Sequence, residues 1–181
     1  EDDEQQQKML ADLEHMEKMV FSALSFARDE SAREPVAMVD FRTILHRVCD
    51  DISDAGFQVS PEIDDDEALP YNCRPVALRR ALNNLVENAA KYGGEARVTM
   101  TKRADAIVVT IDDEGPGIPD DRREDVFKPF FRLETSRSRE TGGTGLGMTV
   151  ARTIVRAHGG DIILSNRAEG GLRMEVTLPM L

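Results

Sequence analysis

Asn84-Leu85-Val86-Glu87-Asn88-Ala89-Ala90-Lys91-Tyr92 carries two helical stripes at once. Asn84, Asn88 and Lys91 follow one another at steps of four and three, so a helix places them on one face. Leu82, Leu85, Val86 and Ala89 then point to the core. Two amide side chains and an ammonium aimed at one spot suit a metal-bound polyphosphate. Amide oxygens ligate a hard cation, and the ammonium neutralises phosphate.

Downstream stand two glycine-marked runs, Asp113-Glu114-Gly115-Pro116-Gly117 and Gly142-Gly143-Thr144-Gly145-Leu146-Gly147. Alone, the first reads as an acidic tight turn, because Asp, Gly and Pro are common turn residues. It also lies where a strand ends, so the Asp113 carboxylate can face a pocket and accept from an amino group while glycine lets backbone approach a flat ligand. The second run opens an apolar-periodic helix, whose first backbone amides can cradle phosphate oxygens. No strand leads into it and no lysine-serine pair closes it, which speaks against a dinucleotide fingerprint or an NTPase phosphate loop. About thirty residues separate Glu114 from Gly145, longer than ordinary connections and more typical of a lid. That stretch holds Phe127, Phe130 and Phe131, three of the seven phenylalanines, which suggests a docking surface for another helix or for the lid itself. Arg132, Arg137 and Arg139 follow, and they can reach a triphosphate or stay in solvent.

Composition bounds the answer. A chain of 181 residues, 40% hydrophobic, can bury one sizeable core and carry an appendage. A net charge of -11 with no long basic run opposes nucleic acid or anionic membranes as partners. Cys49 and Cys73 lack the spacing of a zinc site or a disulfide framework and are expected as reduced, packed thiols. The carboxylates Asp64-Asp65-Asp66-Glu67 lack the glycine turn of a calcium loop and read as a solvated loop. No apolar run reaches the ~20 residues that span a bilayer, and the chain starts Glu1-Asp2-Asp3-Glu4 without an initiator Met. A fragment of a longer protein is therefore expected.

In order, Met9, Leu13, Met16, Met19, Val20, Ala23 and Leu24 predict an amphipathic helix from Met9 to Phe26 that stops near Asp29. Such a helix needs a partner. Residues 30–39, with Pro35, read as a linker, and the main domain is expected over 40–181. Asp40 caps a helix ended by Gly56, and a strand follows over Phe57 to Ile63. Pro75 opens the amide-bearing helix, which Gly93-Gly94 ends. Strands are expected over Ala96–Thr101, Ile107–Ile111, Asp161–Ser165 and Leu172–Leu178, with a helix from Leu146 to Ala157. The sum is an α+β two-layer sandwich, helices on one face of a mainly antiparallel mixed sheet, with a lid at about 114–145.

The order and composition of these runs resemble the catalytic, ATP-binding domain of bacterial sensor histidine kinases, in the Bergerat or GHKL superfamily. Asn84 to Asn88 is similar to the N box, Asp113 to Gly117 to the G1 box, Phe127-Lys128-Pro129-Phe130-Phe131-Arg132 to the F box, and Gly143 to Gly147 to the G2 box. The resemblance implies ATP and Mg2+ as ligands. It implies that Asn88 ligates the metal, Asn84 holds the phosphates or the ion's waters, and Lys91 and Arg132 contact phosphate. Tyr92 packs near the nucleotide and Asp113 meets adenine. Gly115, Gly117, Ile118, Thr144, Gly145, Leu146 and Gly147 complete the nucleotide-binding set, and Thr177 joins a water network at Asp113. Residues 1–29 look like the second helix of the dimerisation and histidine-phosphotransfer hairpin. A homodimer, a response regulator as partner, and a cytoplasmic domain of an inner-membrane protein are implied for the full-length protein.

Nothing here resembles the acceptor run His-Glu-Leu-Arg-Thr-Pro, and His15, His46 and His158 are expected in structural or surface roles. The chain should then bind ATP and phosphorylate an added acceptor. A rival is an ATPase switch like those of DNA gyrase, mismatch-repair and heat-shock ATPases. Those carry a water-activating glutamate where this chain has Asn84, and Glu87 is turned ~100° from Asn88, off the amide face. Another rival is a catalytically silent nucleotide-binding interaction module.

Overall fold

The computed structural model describes residue 9 and residues 34–64, 67–133 and 143–180. The helix expected from Met9 to Phe26, His15, Arg137, Arg139 and Gly142 lie outside the described residues, Met9 apart. Two layers make up the rest. Helices α1 (Phe41–Asp54), α2 (Pro75–Gly93) and α3 (Gly147–Ala157) cover one face of a five-stranded sheet. Its strands are β2 (Gln58–Glu62), β4 (Glu95–Lys102), β5 (Ala106–Asp113), β6 (Asp161–Asn166) and β7 (Leu172–Pro179), in the order β2-β4-β5-β7-β6. All pairs are antiparallel except β2 with β4. Among the described residues no helix is long and apolar enough to cross a membrane.

Period-two alternation builds the sheet's inner face. Val98, Ile107, Val109, Ile111, Met174, Val176 and Leu178 are buried against the helices, and register pairs Val98 with Ile111 and Val109 with Val176. Helix α2 lies centrally, with Leu78, Leu82, Leu85 and Val86 fully buried. Its ends follow from sequence: Pro75 fits a first turn that needs no N–H, and Gly94 leaves the helix at φ 83°. Asp40 caps α1 as expected, accepting from Arg42 N at 3.1 Å.

Two strands were not foreseen. β1 (Ala37–Asp40) and β3 (Pro70–Cys73) pair antiparallel as a separate two-stranded sheet. Ala37 to Val39, expected in the linker, thus belong to the folded domain. Four-residue strands, one opened by proline, offer too short a window for alternation to show. Tertiary contacts hold the pair instead. Asp40 Oδ1 also accepts from Leu69 N at 3.0 Å, and the Phe41 and Tyr71 rings meet edge to face at 5.8 Å. Cys49 and Cys73 are buried free thiols, each pushed up to about 11, chiefly by burial.

Candidate nucleotide site

Helices α2 and α3 run antiparallel, and their contacts bring three of the four motif runs together. Near the start of α3, a Cβ added at Gly147 would stand 3.4 Å from Asn84 Oδ1. One added at Gly143 would stand 3.0 Å from the Tyr92 hydroxyl. At the end of α2, one added at Gly93 would overlap Asp113, 2.4 Å from its Cβ. Asn84, Asn88, Lys91 and Tyr92 therefore lie between the glycine run of α3 and the Asp113 corner. Asn84, Asn88 and Lys91 are half-buried, and among the described residues none has a side-chain hydrogen bond or ion pair. Helical spacing packs the opposite stripe and leaves these polar heads for a ligand.

Asp113, at the end of β5, is 5% exposed. Its Oδ1 accepts from Gly115 N at 2.8 Å and from Leu172 N at 3.0 Å, and no described donor meets Oδ2. Burial raises its pKa above the ordinary carboxylate value, opposed by those two N–H groups and by Arg167. Charging a buried acid costs stability, so the ligand-free domain gains from this group as pH falls through its raised pKa.

Residues outside the expected set hold this corner. Arg167 Nη1 donates to Asp113 O at 2.8 Å, and the Asn166 amide clasps Ile118 from both sides, accepting from its N and donating to its O at 2.9 Å each. Arg173 grips the neighbouring Asp112 with two bonds of 2.8 and 2.7 Å. These residues are scattered over the end of β6, the β6–β7 turn and β7, so no local pattern marks them. Gly171 is tighter still, at φ 92°, where an added Cβ would stand 1.9 Å from Asp113 O. Gly171→Ala should destabilise the fold by about 3 kcal/mol or more, read as a melting temperature lower by roughly 6–12 °C.

The structure corrects one expected site residue. Register sets Thr177 opposite Val108 of β5 and Asp161 of β6, whereas Asp113 lies level with the start of β7. Val108 and Thr177 occupy the sheet face turned away from Ile107, Ile111 and Asp113, and five strand residues span ~17 Å. Thr177 therefore stands apart from Asp113. Membership of the last strand places a residue in the sheet but, without the register, does not say which residue faces Asp113.

The phenylalanines divide. Phe127 is buried beneath the Arg152 guanidinium, 4.2 Å above its ring, and Arg152 also bonds Glu124 at 2.7 Å and Asp161 at 3.1 Å. The lid base is so fastened to α3. Phe130 alone of the three is largely exposed, at 58%, with φ 63°, and its N–H bonds Gly145 O at 2.9 Å. Gly145 needs its own φ of 71°, since a Cβ would press on Phe130 C at 2.8 Å. Leu146 is buried, Thr144 Oγ1 accepts from Leu146 N at 3.4 Å, and Arg132 is half-buried where the described part of the lid ends. His158 is a structural bridge. Arg74 N donates to its Nε2 at 3.1 Å, so Nδ1 carries the proton given to Ile154 O at 2.8 Å.

Among the described residues no cluster of three His, Cys, Asp or Glu side chains gathers. A metal here would be held by the Asn88 amide with Asn84 beside it, which fits Mg2+. That ion takes one or two protein oxygens and fills its remaining positions with phosphate and water.

The chain belongs to the family of histidine kinase-, DNA gyrase B- and HSP90-like ATPases, whose profile matches residues 73–181, and within it to the catalytic domains of sensor histidine kinases. It is 39% identical over 182 aligned positions to sensor histidine kinase GtrS of Pseudomonas aeruginosa, covering all of this chain and 37% of that protein. It is 39% identical over 112 positions to CpxA of Escherichia coli, covering 61% of this chain and 24% of CpxA. The solved histidine kinase AdeS of Acinetobacter baumannii superposes with a TM-score of 0.69 at 25% identity, over 96% of this chain and 81% of that one. The chain thus spans well under half the length of these curated relatives.

Proposed function

We propose that this domain binds ATP with Mg2+ between α2, α3 and the Asp113 corner, and presents the γ-phosphoryl to a histidine on a phosphotransfer hairpin. The convergence of the unpartnered Asn84, Asn88 and Lys91 face on Asp113 carries this reading. Asp113 Oδ2 accepts from the adenine amine while Gly115, Gly117 and Ile118 line the base. Asn88 holds the metal, and Asn84, Lys91, Arg132 and the amides of Thr144 to Gly147 steady the phosphates. The bound metal supplies positive charge to the polyphosphate. The histidine nitrogen attacks the γ-phosphorus in line, the bond to the bridging oxygen breaks, and ADP leaves.

The domain contributes position and charge and no base, in keeping with Asn84 where the ATPase relatives carry a glutamate. In the full-length protein we place it on the cytoplasmic side of the inner membrane, in a homodimer that passes phosphate to a response regulator. Incubating the chain with labelled ATP and a separately supplied histidine-bearing hairpin should move the label to the hairpin. Phosphate release without transfer would favour the ATPase reading.

A further inference from the structure

The face that meets the metal and phosphates sits on the C-terminal half of α2, while the start of the same helix is tied to the chain entering the domain. Arg74, the N-cap, makes no side-chain cap bond, and Pro75 has no N–H. The first helical donors are then Val76 and Ala77. The two oxygens of Glu34 accept from them at 2.7 and 2.8 Å, and a carboxylate at this end also meets the favourable pole of the helix dipole. Glu34 O in turn accepts from Arg74 Nε at 3.1 Å. With His158 of the α3 terminus on Arg74 N, three backbone donors at the head of α2 are held by side chains from outside it.

From these contacts we infer that Glu34 is a positioning residue for the nucleotide site, fixing through α2 where Asn88 and Lys91 stand. Asn88 lies twelve residues beyond Val76, ~18 Å along the axis. A close-packed helix passes a shift at one end to the other because it has no slack to absorb it. The adenine corner packs against Gly93 of α2 but takes its hydrogen bonds from Gly115 N, Leu172 N and Arg167, none of them in that helix. Release of Glu34 therefore loosens the grip on metal and phosphate and spares the grip on the base. By linkage, magnesium nucleotide tightens the hold of α2 on Glu34.

This inference rests on the nucleotide site proposed above, and calorimetric titration of the unaltered chain, Glu34→Gln and Glu34→Ala separates the two. The Kd for magnesium ATP should rise about five-fold or more in Glu34→Ala, while that for adenosine stays within about two-fold. Glu34→Gln keeps one acceptor oxygen and should fall between, and it carries the test if Glu34→Ala does not fold. Unchanged magnesium ATP affinity in both variants, or equal weakening of both ligands, overturns the assignment of Glu34 alone. Absence of binding by the unaltered chain overturns the nucleotide site and this assignment with it.

Discussion

Asn88→Ala should weaken magnesium ATP binding by at least about a hundred-fold and abolish phosphotransfer, with the fold intact. Even residues that only support a metal's ligands cost about 10–100-fold when removed, and Asn88 is placed to be a ligand itself. Stability should not fall with it. Alanine is the better helix former by roughly half a kcal/mol, and the Asn88 side chain has no described partner to lose. Binding should also lose its dependence on magnesium. Calorimetry with and without a chelator, beside a thermal melt, checks both halves. A variant that melts early would assign Asn88 to the core.

Asp113→Asn should show a similar pair of effects from a different cause, with stability held or raised and nucleotide affinity cut by about a hundred-fold or more. A carbonyl oxygen in place of Oδ1 still accepts from Gly115 and Leu172, so the turn survives. The buried charge, whose cost raises this group's pKa, is gone. An amide N–H₂ replaces Oδ2, so a donor faces the adenine amine. Two buried donors left without acceptors cost about 1–3 kcal/mol each. The same group makes ATP binding sensitive to pH. Protonation of Asp113 removes the acceptor, and its raised pKa sets that loss in above the ordinary carboxylate value of about 3.9. Affinity measured from pH 7 downward should fall more steeply in the unaltered chain than in Asp113→Asn, where only protonation of the nucleotide's own phosphates, whose second pKa is about 6, remains.

Legibility in the sequence depended on how local each cause is. The α2 stripe, its Pro75 start and Gly94 exit, and the antiparallel β4–β5 pair are written in residues a few positions apart, and the structure has them close to where they were expected. The amide face was equally local, because three polar residues at helical spacing need only the helix to converge. β1 and β3 were invisible since their stability comes from Asp40, Leu69 and Tyr71 acting across some thirty residues. Arg167 and Gly171 meet Asp113, and Asn166 holds Ile118 beside it, from about fifty residues away, and only the alignment of β5, β6 and β7 brings them there. Thr177 was misplaced for the same reason. A strand's membership can be read from alternation, but which residue stands opposite which cannot, and a slip of one position changes the face.

Titration of the unaltered chain with ATP in magnesium, ATP in chelator and GTP in magnesium tests the shared cavity most directly. Binding should be tightest for ATP in magnesium, weaker without the ion that Asn88 holds, and weaker for GTP, whose base turns a carbonyl oxygen toward Asp113 where adenine offers an amine. No heat with magnesium ATP, or equal affinity under all three conditions, would contradict a site made jointly by Asn88 and Asp113.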